Sequence, residues 1–93
     1  MKENHPKLWA QIAADLTRAR ATLPDDAADC ESVREYQEFL DNNELELACE
    51  MLEDCAREFP VSPEFWTALR DAAVKMRLQD RVARYEQLVG GQR

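Results

Sequence analysis

The sequence predicts an all-α protein: a small bundle of four to five amphipathic helices around a central antiparallel helical hairpin, one domain over residues 1–93. Three observations predict it. The two glycines, Gly90 and Gly91, both stand at the C-terminal end, whereas β-hairpin turns draw on interior glycine for positive backbone angles. Alanine, leucine, glutamate and arginine are abundant, and all are good helix formers. Apolar residues recur at three- and four-residue steps between proline and asparagine breaks, which is the period of one helical face. A chain of 93 residues holds one core. Its 45% hydrophobic and 33% charged residues are those of a folded globule rather than a disordered chain.

The first helix is predicted from Pro6 to about Leu23. Proline lacks the N–H that a first turn leaves unpaired. Leu8, Trp9, Ile12, Leu16, Ala19 and Leu23 make the apolar stripe, and Pro24 ends it. Residues 25–29 read as a linker, with Asp29 as N-cap of a second helix over 30–42. Val33, Tyr36, Phe39 and Leu40 face its core side, and Glu31, Glu35 and Glu38, with Asp41 beside them, face outward. Asn43 is then expected to cap a third helix, with Glu46 as the reciprocal acid of a capping box. That helix buries Leu45, Ala48, Met51, Leu52, Cys55 and Phe59 and stops at Pro60. So short a break makes the second and third helices an antiparallel hairpin. This pair resembles one unit of a helical-repeat protein, but no tandem copy is legible. Ser62-Pro63-Glu64 is a helix start, followed at core spacing by Phe65, Trp66, Leu69, Ala73 and Met76. After a break near Leu78-Gln79-Asp80, a last helix carries Val82, Tyr85, Leu88 and Val89 to a stop at Gly90-Gly91.

Several function classes drop out on composition. No apolar run approaches the roughly 20 residues that cross a bilayer, and no signal-peptide core opens the chain, so a cytoplasmic protein without a membrane partner is expected. Cys30, Cys49 and Cys55 are odd in number and contain no Cys-x-x-Cys pair, which points to reduced thiols rather than a disulfide framework or a zinc site. Cys55 reads as a core residue, whereas Cys30 and Cys49 stand nearer the edge. His5 is the sole imidazole and precedes the first helix. A di-iron Glu-x-x-His pattern and a Ser–His or Cys–His nucleophile therefore have no material here. The expectation is no metal, no cofactor and no catalysis. Trp9, Phe65, Trp66 and Tyr85 are assigned to the core. A pI near 4.6 makes nucleic acid an unsuitable ligand, because its phosphates would be repelled.

Charge is the most uneven property of the chain. Thirteen of the nineteen carboxylates lie between Asp25 and Glu58, against Arg34 and Arg57 alone. That window carries a formal −11 and the remainder +4. Concentrated like charge opposes compaction and speeds capture of a cationic partner. Glu35, Glu38, Glu46, Glu50 and Glu53 fall at helical spacing, with too few basic neighbours for i,i+4 neutralisation. If the hairpin helices bring their stripes together, they form one acidic face. The candidate partner-binding residues are Glu35, Glu38, Asp41, Glu44, Glu46, Glu50, Glu53 and Asp54, with Tyr36 as an aromatic anchor. The basic residues Arg70, Lys75, Arg77, Arg81 and Arg84, interleaved with Asp71, Asp80 and Glu86, are expected to pair internally. The alternative is a self-associating helical module, a homodimer in which the acidic hairpin of one copy meets this basic cluster of another.

The stretch from Tyr36 to Ala48, YQEFLDNNELELA, with Met51-Leu52 one turn later, resembles the signature of small bacterial immunity proteins of the Maf type. That signature is a helix ending in a short polar turn, then a glutamate, an aliphatic–alanine step and a leucine. Ser62-Pro63-Glu64-Phe65 is similar to the family's later Ser-x-Glu-aromatic helix start. The likeness spans Val33 to Met76, about half the chain; where the family carries glycine before the turn glutamate, this chain has Asn43. The resemblance implies an antidote that binds and silences a toxin, often a nuclease. An acidic helical face suits such a partner, whose active site must attract phosphate.

Overall fold

The apolar stripes and their breaks resolve into five α-helices in the computed structural model, which describes residues 6–90. They are α1 (Pro6–Ala21), α2 (Glu31–Asp41), α3 (Leu45–Glu58), α4 (Pro63–Lys75) and α5 (Gln79–Gly90), with a 3₁₀ turn over Asp25–Asp29 before α2. No strand occurs among the described residues. His5 and Gly91 lie outside them, and Gly90 is the last residue of α5 rather than its stop.

Two of the expected caps are corrected. Asn43 does not cap α3; its φ of 60° makes it the left-handed residue that closes α2. The Glu44 N–H reaches back to the Phe39 carbonyl at 2.8 Å and the Asn43 N–H to the Leu40 carbonyl at 3.1 Å, the two bonds of a Schellman motif. Glu44 then stands at the N-cap position of α3, without a side-chain cap bond. Asn43 supplies here the conformation that glycine most easily provides. Asp29 likewise ends the 3₁₀ turn, and Cys30 takes the N-cap position of α2. Ser62 and Pro63 occupy the predicted first positions of α4.

The same Schellman turn recurs between α4 and α5. Arg77, also at φ 60°, sits between bonds from the Leu78 N–H to the Ala73 carbonyl and from its own N–H to the Val74 carbonyl. The fold thus contains a second helical hairpin closed by the device of the first, which the sequence did not reveal because Asn43 and Arg77 share no side-chain chemistry. A residue with a Cβ at this angle carries a backbone penalty of about 1 kcal/mol that glycine escapes. Arg77→Gly is therefore expected to raise stability by about 0.5 kcal/mol once glycine's freer unfolded state is offset, measured as the shift of a urea midpoint.

The α1 helix spans the two hairpins. It packs most extensively on α4 and also touches α3. Asp15 pairs with Lys75 at 2.7 Å and Arg18 with Asp71 at 2.9 Å, so α1 and α4 run antiparallel. Fully buried Ala19, Ala68 and Ala72 let helix backbones approach closely. Leu16, Leu52, Phe65, Leu69 and Tyr85 fill the centre, and Trp66 meets Phe65 edge-on at 5.0 Å. Trp9 does not join them and is 37% exposed. The α4 helix ends at Lys75, opposite Asp15, so the first turns of α1 extend past it. The molecule is 17 Å along its shortest axis, less than two helix diameters. Helices of so thin a bundle keep an outward face.

Candidate functional site

The acidic window divides into two halves with different fates. On α2, Val33 and Tyr36 turn inward, which places Glu31, Glu35 and Glu38 on the opposite, exposed face. Glu31 to Glu35 and Glu35 to Glu38 are adjacent steps on a helix surface, so these like charges repel by a few tenths of a kcal/mol per pair. Among the described residues none of the three makes a salt bridge. Arg34, the one cation of α2, directs its guanidinium to the Asp29 carbonyl at 3.1 Å rather than to a carboxylate. Asp41 is exposed and accepts from the Gln37 amide at 3.0 Å. Glu44 is exposed in the turn that follows. Asp25, Asp26 and Asp29 are exposed on the 3₁₀ turn that leads into α2, extending the acidic surface beyond its start.

The α3 half is directed elsewhere, which corrects the expected joint face. Glu53 is 8% exposed, and its two oxygens are taken by different arginines of α5: Oε1 by Arg81 at 2.7 Å and Oε2 by Arg84 at 2.9 Å. Glu50 is half-buried and lies 3.9 Å from Arg81. Glu46 is exposed but lines a groove together with Arg77, Arg81 and Arg84. Asp54 is half-buried and pairs with Arg57 at 3.4 Å. The stripe on α3 therefore meets the basic side of α5 instead of continuing the stripe on α2.

Tyr36 is also corrected. It is 1% exposed, and burial pushes its phenol up, with Thr17 and Arg20 of α1 opposing the shift in part. It joins α2 to α1 and offers no anchor to a partner. Cys49 is fully buried rather than near an edge; its sulfur lies 3.4 Å from the Tyr85 hydroxyl. Burial pushes the Cys49 thiol up to about 11 and the Tyr85 phenol up as well, so both stay protonated in ordinary buffers. With Arg81, Arg84 and Glu53 they form a polar node between α3 and α5.

The expected internal pairing is present for four of the five basic residues: Arg70 pairs with neighbouring Asp71, whereas Lys75, Arg81 and Arg84 find partners on other helices rather than on Asp80 and Glu86. Arg81 and Arg84 hold Glu53, Lys75 holds Asp15, and Arg70 bonds Asp71 at 3.2 Å. Asp15 is 6% exposed, and its other oxygen accepts from Arg18 at 2.9 Å. Sequence reasoning missed Asp15 and misplaced Glu53 on the surface. A signal existed: each carboxylate falls at core spacing, Asp15 three residues after Ile12 and Glu53 four after Cys49. A charge at such a position demands a partner.

A second surface feature lies where the start of α1 meets both hairpin turns. It is an open groove of about 800 Å³ lined by Leu8, Trp9, Leu45, Met76, Arg77 and Leu78, among others. Among the described residues no His, Cys, Asp and Glu side chains cluster as metal ligands would. No described helix is long and apolar enough to cross a membrane. No protein-family model matches the chain, and no curated protein or solved structure is significantly similar to it.

Proposed function

We propose that this chain is a non-catalytic binding protein whose exposed acidic face, the outer side of α2 with the preceding 3₁₀ turn, docks a basic protein. The partner we propose is a nuclease-like toxin, which the chain neutralises as an immunity protein in the cytoplasm. One observation carries this reading. The fold spends its cations on Glu53, Asp15 and Asp71 and leaves Glu31, Glu35 and Glu38 without salt bridges among the described residues. A face needed only for solubility tolerates intervening lysines; three repelling carboxylates on one stripe give the strongest field toward a cationic surface. The contact set becomes Glu31, Glu35, Glu38, Asp41 and Glu44, with Asp25, Asp26 and Asp29 at its edge. The antidote role follows the resemblance to Maf-type immunity proteins, and Asn43, left-handed where that family has glycine, is compatible with it.

Self-association through the basic cluster is the weaker reading, since Arg70, Lys75, Arg81 and Arg84 each hold an internal carboxylate. Affinity capture from the native cell at low and high salt tests the proposal. A basic protein retained at low ionic strength and released as salt rises supports it, because screening shortens the reach of surface charge to about 8–10 Å at physiological strength. Retention of no basic protein, together with a salt-sensitive dimer of the chain itself, would favour the self-associating module.

A further inference from the structure

The groove at the start of α1 lies where a helix position is left unfilled. Residues Pro6 to Ala14 of α1 run past the end of α4, which stops at Lys75 opposite Asp15. That leaves roughly 13 Å of α1 with no helix beside it in the line of α4. Leu8, Trp9 and Ile12 line the groove from α1, Met76 and Leu78 from the α4–α5 turn, and Leu45 from α3. Trp9 is exposed, and Leu8, Met76 and Leu78 are half-buried, so apolar surface stays accessible here. Arg77 is exposed at the same place and lines this groove and two adjoining ones. It takes part in none of the salt bridges among the described residues. Lys75, the other cation of the groove, is held by Asp15. Arg77 also keeps its left-handed backbone at a position where glycine costs less. Backbone strain retained at an exposed turn directs attention to the side chain it carries.

We propose that this groove docks a short amphipathic helix of another protein, whose apolar face covers Trp9 and whose flanking carboxylate meets the Arg77 guanidinium. The uncovered run of α1 sets the length of the occupant at about two to three turns. An apolar stripe laid into an apolar groove supplies the burial, as in other helix-in-groove contacts. The planar guanidinium fits a carboxylate with two parallel hydrogen bonds, which fixes the direction in which the helix lies. Glu46 lines the groove from α3, so the acid of the occupant belongs beside the α4–α5 turn, away from that carboxylate. The inference does not depend on the proposed toxin. Its occupant is acidic at the contact where that partner is basic, and the groove is separate from the outer side of α2.

The test titrates the whole chain with two synthetic peptides of about ten residues, cross-linked to stay helical, with leucines at i, i+3, i+4 and i+7. One carries glutamates flanking the apolar face, and its twin carries lysines. The readout is acrylamide quenching of tryptophan fluorescence, which reaches exposed Trp9 but not the buried Trp66. The acidic peptide is expected to shield Trp9 in a saturable way, and the basic twin is not. Trp9→Ala, followed by a dye on the peptide, should weaken binding by about 30-fold, as for an aromatic anchor. Arg77→Gln should weaken the acidic peptide by about fivefold and Glu46→Gln should tighten it by about twofold. The wild-type comparison of the two peptides needs no variant to fold. Shielding by neither peptide, or equal shielding by both, would overturn the proposal. So would a Trp9 that becomes shielded as the chain alone is concentrated, which would give the groove to a second copy. A Trp9 already closed to acrylamide in the dilute chain would give it to residues 1–5 and overturn the proposal as well.

Discussion

Replacing Glu53 with alanine is expected to destabilise the protein by about 3 kcal/mol, because it strands a mostly buried arginine. Among the described side chains of α5 Tyr85 is fully buried and Val82, Leu88 and Val89 are half-buried, and the helix packs chiefly on α4 rather than on α3. The node of Glu53 with Arg81 and Arg84 ties it to α3. For a domain of this length each kcal/mol moves the melting midpoint by roughly 4–8 °C, so circular dichroism should show a drop of about 12–24 °C. The double variant Glu53→Leu with Arg81→Met should recover most of the loss, since a buried ion pair replaced as a whole by apolar groups costs little. A single variant that melts with wild type would mean that the ion pairs between α3 and α5 add nothing to the packing of α5 on α4.

The second large effect is kinetic. Reversing Glu31, Glu35 and Glu38 to lysine takes the formal charge from −7 to −1 and removes the stripe on α2 that carries no salt bridge. Association with the basic partner is expected to slow by 10- to 1,000-fold at low salt and to lose most of its salt dependence, measured by stopped-flow or surface binding. Stability should change little, because all three side chains are exposed. Lysines at Glu50 and Glu53 would be a poor substitute: they would face Arg81 and unfold the α3–α5 contact before reporting on any partner.

The fold was largely legible in the sequence. Proline and the apolar period placed every helix within about two residues, and a strong local signal such as Ser62-Pro63 landed on the true start of α4. The misread positions share a physical cause. Asn43 serves equally as an N-cap and as a left-handed C-terminal residue, and only the backbone bonds from Glu44 and Asn43 decide between them. Trp9 has core spacing, but whether it is covered depends on where α4 ends, a fact of tertiary alignment. Asp15 and Glu53 find their partners 60 and 28 residues away, beyond the reach of any helical period. Tyr36 bordered an acidic stripe on paper, yet half a helical turn separates that stripe from the side facing α1. The placement of the acidic residues was thus half legible: those of α2 are exposed as the period predicts, whereas Glu50 and Glu53 of α3 turn to α5, and Asp25, Asp26 and Asp29, which read as linker, extend the exposed surface.

The most direct test of the acidic face compares two baits of equal net charge in the same capture. One carries lysine at Glu31, Glu35 and Glu38; the other carries lysine at Glu64, Asp80 and Glu86, exposed acids on α4 and α5. If docking resides on the outer side of α2, the first bait loses the basic partner and the second keeps it at near wild-type level. Equal loss from both would show that overall charge, not this face, does the binding, and the proposed interface would fall.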